Sequence, residues 1–288
     1  MWLIPLILMA EPSAGETFHL QQNPVYEELR ESGVAVTSDK QIKLPEPYMQ
    51  DGLDADAQRK LVEKLGGRRY RWDLLTRNST VAPQIIQLSD ETLPETDTKV
   101  RRLDVYFVAY GDLKAISKSK NLTEPSNDGG QEWKPLTADD LTKETFDKLD
   151  SEHETFGWIS NDLIDRVRVS GVLHTHWSLT DHSLIASAVL DPRFDRGEKL
   201  PNIWQPLTRG RKGWEAGESS PYSGAGGYTK ITKLEKPDGA LFVESHLVFA
   251  EPYGWFKGTN LLSSKLPAVV QNEVRSTRRE ILQASRSK

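Results

Sequence analysis

The sequence predicts an α+β fold in which a large curved antiparallel sheet packs on a long C-terminal amphipathic helix, with short helices in the N-terminal part. Three observations lead there. From Thr98 to Gly111, "TKVRRLDVYFVAYG" alternates Leu103, Val105, Phe107 and Ala109 with Asp104, Tyr106, Val108 and Tyr110, the period of a strand. The second half is mostly stretches of the same kind. The last stretch, "SSKLPAVVQNEVRSTRREILQAS", sets Leu266, Val270, Val274, Thr277 and Ile281 three or four residues apart, with Val269 beside them. That stripe is helical and long enough to lie across a whole sheet, and Arg275, Arg278 and Arg279 are expected to face away from it.

Taken in order, residues 1–14 read as a signal peptide. "MWLIPLILMA" is apolar but too short to span a bilayer, and Ala10 or Ala14 suits a cleavage point. No Lys or Arg stands before it, which departs from the usual pattern. The expectation is a periplasmic or secreted protein. Residues 15–66 then hold two helices and a hairpin. In "NPVYEELRESG", Asn23 caps, Pro24 takes the first helical position and Gly33 ends the helix. "VAVT" and "QIKL" make the hairpin. In "DADAQRKLVEKLGG", Asp54 caps, Ala57, Leu61 and Leu65 share a face, and Gly66 stops the helix.

Residues 67–288 form the sheet-and-helix domain. "RYRWDLL" and "TVAPQIIQL" read as strands before the strong one at Thr98, and "DLKAISKS" adds a helical turn or two. A loop follows, and then a helix over "TADDLTKETFDKLDSE", with Thr137 and Asp140 in a capping pattern. "FGWIS", "DRVRVSGVLHTHWSL" and "LIASAVLD" are strands. Residues 192–227 read as a long loop, and "YTKITKLEKPDGALFVESHLVFAEP" is a hairpin turning at "KPDG".

Composition narrows the function. With 37% hydrophobic and 27% charged residues the balance is that of a soluble globular chain, and no later segment is apolar enough to span a membrane. A net charge of −5 disfavours general nucleic-acid binding. The absence of cysteine removes disulfides, thiolate metal sites and cysteine nucleophiles together. No G-x-S-x-G elbow occurs, and "GAGG" at Gly224 precedes a strand rather than a helix, so neither serine hydrolase nor nucleotide-binding logic applies.

The chemistry-bearing stretch is "GVLHTHWSLTDHSLIASAVLD", Gly171 to Asp191. His174 and His176 lie on one face of a strand, a spacing that suits two zinc ligands, and His182 beside Asp181 could supply a third across the turn. His246 and Glu244, on one face of "VESHLVF", are further candidates. The competing reading is a hairpin whose histidine face looks out to water, and this is the expectation adopted. "PLTRGRKG", between Trp204 and Trp214, offers cations for an anionic group.

The stretch from Leu241 to Ile281, "LFVESHLVFAEPYGWFKGTNLLSSKLPAVVQNEVRSTRREI", resembles the end of START-like, polyketide-cyclase-like helix-grip proteins: a strand pair, a proline-containing turn and a long closing helix. The resemblance covers roughly the last 130 residues and implies a cavity between sheet and helix. The whole chain also resembles exported proteins of planctomycete-type bacteria, which implies no activity. The first functional expectation is therefore non-catalytic binding of a hydrophobic or amphipathic, lipid-like small molecule. Tyr106, Tyr110, Trp177, Trp204, Arg211 and Phe256 are its expected lining, and no cofactor is needed. The alternatives are a zinc-dependent hydrolase using His174, His176 and His182, and a structural or interaction protein of the cell envelope.

Overall fold

The computed structural model describes residues 23–37, 39–117, 131–137, 139–141, 153–194, 199–211, 213–222, 224–256 and 261–286. The expected signal peptide, and the expected helix from Thr137 beyond its capping turn, lie outside them. The capping turn itself is present: Thr137 donates to Asp140 from its backbone nitrogen at 3.2 Å and from Oγ1 at 3.0 Å.

The chain begins with α1 (Pro24–Glu31), where the Asn23 side chain accepts from the Tyr26 nitrogen. Gly33 follows at φ +97°, and an added Cβ there would stand 2.5 Å from the Ile42 backbone. The turn therefore demands glycine, both for its backbone angle and for its close approach. A short hairpin, β1 (Val34–Ala35) and β2 (Gln41–Ile42), follows. Helix α2 (Ala55–Gly66) is capped by Asp54, as expected; it buries Gln58, Val62 and Gly66 most deeply, with Leu61 and Leu65 of the expected face packed beside them, and Gly67, not Gly66, is its left-handed end. "RYRWDLL" is not a strand: Trp72–Leu75 form the single helical turn α3, which buries Leu75.

The sheet holds β3 (Ile85–Leu93), β4 (Thr98–Tyr110), β5 (Gln131–Pro135), β6 (Glu154–Leu163), β7 (Val167–Leu179) and β8 (Ser183–Leu190). It continues with β9 (Ile203–Arg209), β10 (Trp214–Ala216), β11 (Ser220–Pro221), β12 (Ala225–Lys233) and β13 (Ala240–Glu251). Every pairing is antiparallel. The order runs β3-β4-β13-β12-β8-β7-β6-β5, and β9, carrying β10 and β11, shares an edge of β7 with β8. Residues 192–227 are thus no plain loop. They supply β9, which pairs with β7, and its two short edge partners β10 and β11, and Pro206 and Pro221 broke the alternation that would have revealed them. The "KPDG" turn joins β12 to β13 as expected. Trp133 on β5 packs against β6 so closely that a Cβ on Gly157 would meet its ring at 2.0 Å.

Between β4 and β5 lies α4 (Leu113–Ser117), and the chain closes with α5 (Leu261–Arg286). The fold is the α+β arrangement predicted, with the C-terminal helix packed on the sheet. Helix α5 buries Leu262, Leu266, Val270, Val274, Thr277 and Ile281, the expected stripe extended by one turn. Arg278 does not face away. It lies under the helix at 4% exposure, donating to the carbonyls of Val108 (2.9 Å), Ala82 (2.6 Å) and Pro83 (2.9 Å), with its guanidinium 5.3 Å from the Phe107 ring. The sheet beside Val108 has no β3 partner, because β3 starts at Ile85 opposite Tyr106. Arg278 supplies the donors that a further strand residue would have given.

Candidate functional site

The two faces of the sheet differ in chemistry, and strand register assigns every side chain to one of them. Phe107 under Arg278, and Arg101, whose Nη1 donates to Ser263 at 3.0 Å, put the odd residues of β4 beneath α5. Following the pairings outward, the same face carries Leu247, Gly227, Ala188, Thr175 and Thr155 in one row. The next row carries Val105, Ser245, Thr229, Ala186 and Trp177. The middle of this face is therefore built from short side chains, walled by Trp177, Leu173, Leu247 and Phe249. Helix α4 reaches over it to touch both β8 and α5. The seam is closed, for the stripe residues of α5 and the short side chains beneath are all buried.

At one end of this face Trp255 forms an aromatic cluster. Its ring lies 5.3 Å from Tyr222, 6.2 Å from Trp204 and 6.1 Å from Phe256. Its Nε1 is buried and has no hydrogen-bond partner among the described residues. Such a donor forfeits a hydrogen bond that water would have offered.

The opposite face is polar at its centre. His246 sits between two carboxylates, with Nδ1 2.6 Å from Asp104 and Nε2 3.3 Å from Glu244. Burial lowers its pKa, but the hydrogen bonds to Asp104 and Glu244 more than offset this, and the net displacement is upward. Glu244 also accepts from the Tyr48 and Met49 backbone nitrogens at 2.6 and 3.1 Å. On the neighbouring strand Lys230, only 2% exposed, pairs with Asp51 at 2.7 Å and donates to the Met49 carbonyl at 2.9 Å. Ser183 donates to the other Asp51 oxygen at 2.8 Å, and Tyr228 donates to the Pro45 carbonyl at 2.9 Å. Burial is the main cause that raises the Tyr228 and Tyr106 pKa values. The network spends its polar groups on the segment from Pro45 to Asp51, which it pins across the sheet.

The residues singled out from the sequence divide between these faces. Trp177 and Trp204 lie on the α5 side, and Trp204 meets Phe256 through Trp255. Tyr106 and Tyr110 lie on the opposite side, facing the cluster of Met49, Val62 and Leu75. Arg211 is exposed at the β9–β10 turn. The six do not line one cavity, because neighbours in a strand's sequence point to opposite faces and residues from two strand phases were grouped together.

The histidines also part. His174 pairs with Glu154 and stacks on Phe156 at 4.2 Å. His176, at 5% exposure, lies with its ring 6.2 Å from that of His153. The expected outward histidine face is thus covered, and Asn23 ahead of α1 donates to the His176 carbonyl at 3.3 Å. His182 stands exposed in the β7–β8 turn, six residues along the chain from His176. Among the described residues no group of three or more His, Asp and Glu side chains is placed to hold a metal. Glu244 and His246 do meet, as their shared face implied. Asp51, Asp104 and Lys230 were missed, although a lysine between Tyr228 and Ile231 in the middle of a strand was a visible signal.

No family model matches the chain, and no curated protein matches it. Among solved structures it is similar to the human StarD13 (DLC2) lipid transfer and protein localization domain, with 8% identity over 71% of this chain and 91% of that one, at a TM-score of 0.36. A likeness of that size carries no argument about function.

Proposed function

We propose that this protein binds an apolar or amphipathic small molecule on the α5 side of the sheet, without catalysis. The observation that carries the reading is the patch of short side chains, Thr175, Ala186, Ala188, Gly227, Thr229 and Ser245, walled by large ones on the face of the sheet that carries α4 and α5. Its three hydroxyls bond within the sheet, Thr175 to the Thr155 carbonyl and Thr229 with Ser245, which leaves mainly methyl and methylene surface for a ligand that requires a largely apolar lining. The unpartnered Trp255 Nε1 offers a polar anchor at the end of that face. Entry requires α5 and α4 to lift from the sheet, because the seam between them is closed. The test is native mass spectrometry of protein purified without detergent, followed by solvent extraction. An extractable bound mass of a few hundred daltons is expected, and a bare polypeptide that also fails to take up added fatty acid or phospholipid would contradict the reading.

The closed seam itself favours a second reading, an interaction protein whose interior is filled by its own side chains. In that case no apolar ligand binds, and substitutions that enlarge Ala186 are strongly destabilising.

A further inference from the structure

The chain is acidic as a whole, with a net charge of −5, yet from Arg59 to Arg77 it holds seven Lys and Arg against two acids, Glu63 and Asp73. The fold gathers this excess at one corner, where α2 and α3 pack together and enclose an open groove of about 570 Å³ lined by Arg59, Tyr70, Arg71 and Trp72 among others. Both acids are already engaged: Glu63 by Arg59 at 2.9 Å, and Asp73 by a two-pronged contact from Arg71 at 3.0 Å. Arg69 stacks over Tyr70 at 5.3 Å. Lys60, Lys64, Arg68 and Arg77 are exposed and make no ion pair among the described residues. Apolar side chains also reach solvent in and just after α3, with Leu74 39% and Val81 60% exposed, and half-buried Trp72 lines the groove.

We infer that this corner is a docking surface for an anionic lipid bilayer. Unpaired lysines and arginines are drawn to the surface potential of acidic headgroups. Leu74, Val81 and the edge of Trp72 suit the boundary between headgroup and acyl chain, where apolar and aromatic side chains settle. A nucleic acid matches the cations but has no use for exposed leucine and valine beside them, and the rest of the chain repels it. The surface rests on none of the residues that carry the proposed ligand site, so either reading can fail without the other.

The experiment is co-sedimentation of the full chain with vesicles of phosphatidylcholine alone or mixed equally with phosphatidylglycerol, at low and moderate salt. Binding is expected only to the acidic vesicles, and salt weakens it. Arg68→Glu combined with Arg69→Glu lowers the affinity at least roughly tenfold. Leu74→Asp with Val81→Asp also weakens it, while the far-ultraviolet circular dichroism of both variants matches the parent. Equal binding to both vesicle types, no binding to acidic vesicles at low salt, or unchanged affinity of the charge-reversed variant would each overturn the inference. Retention on heparin or RNA with no vesicle binding would overturn it too, and identify a polyanion site instead.

Discussion

Lys230 is the residue on which the polar face turns. It is buried in a central strand, and a buried ammonium is tolerated only where charge and hydrogen bonds meet it. Asp51 and the Met49 carbonyl do so. Removing one partner of such a pair leaves the other uncompensated, so Lys230→Met is expected to cost about 3 kcal/mol in chemical denaturation. A loss within a few tenths of that of an exposed lysine variant would show that the pair is not formed. His246 makes a pH-dependent contribution. Its folded pKa is raised, so its stabilisation is complete below the unfolded value of about 6.5 and fades as pH rises through the folded one. The stability gap between the parent and His246→Gln is therefore expected to be wider at acidic pH than at alkaline pH; a gap that stays constant or grows would contradict this. At this scale the sequence was half legible. Alternation placed Glu244 and His246 on one face. It could not reveal Asp51 or Asp104, because their partners come from segments far away in the chain.

Among the elements, α1, β4, the β12–β13 hairpin and α5 were legible because each carries its own signal: a cap, a two-residue period, a turn or a stripe. Segments whose form depends on what they pack against were not. Trp72–Leu75 carries too few residues for either period, and its helical turn exists because Leu75 docks on the sheet. Arg278 reads as a solvent-facing residue of the helix, and only the missing β3 partner beside Val108 explains its burial. Burial, reinforced by nearby Arg275, lowers its pKa to about 10. It stays charged at neutral pH, met by backbone carbonyls and the Phe107 ring. Arg278→Met is expected to destabilise by about 2–4 kcal/mol, since several buried carbonyls lose their donor, and Arg278→Lys recovers only part of this because one ammonium cannot span them. Equal stability of Arg278→Met and the parent in urea melts would refute the role given to it. Gly33→Ala tests the first turn. With φ +97° and backbone 2.5 Å from the added carbon, it is expected to cost more than about 1 kcal/mol.

At the scale of the whole molecule, a large antiparallel sheet packed on an amphipathic C-terminal helix was predicted in outline, and the polar strap across its other side was not. Nor was the placement of chemistry on the two sides, because it needs the register across many strands. The proposed binding rests most heavily on the patch of short side chains on the α5 side of the sheet. Ala186 lies at its centre, beside Trp177 on one strand and Thr229 on the next. Titration of a fluorescent fatty acid into the parent and Ala186→Leu, with thermal melts of both, tests the claim most directly. Saturable binding by the parent is expected, with binding by Ala186→Leu at least roughly tenfold weaker at a temperature where both remain folded. A parent that binds nothing, together with a variant destabilised by the 1–3 kcal/mol typical of an overpacked core, would contradict it.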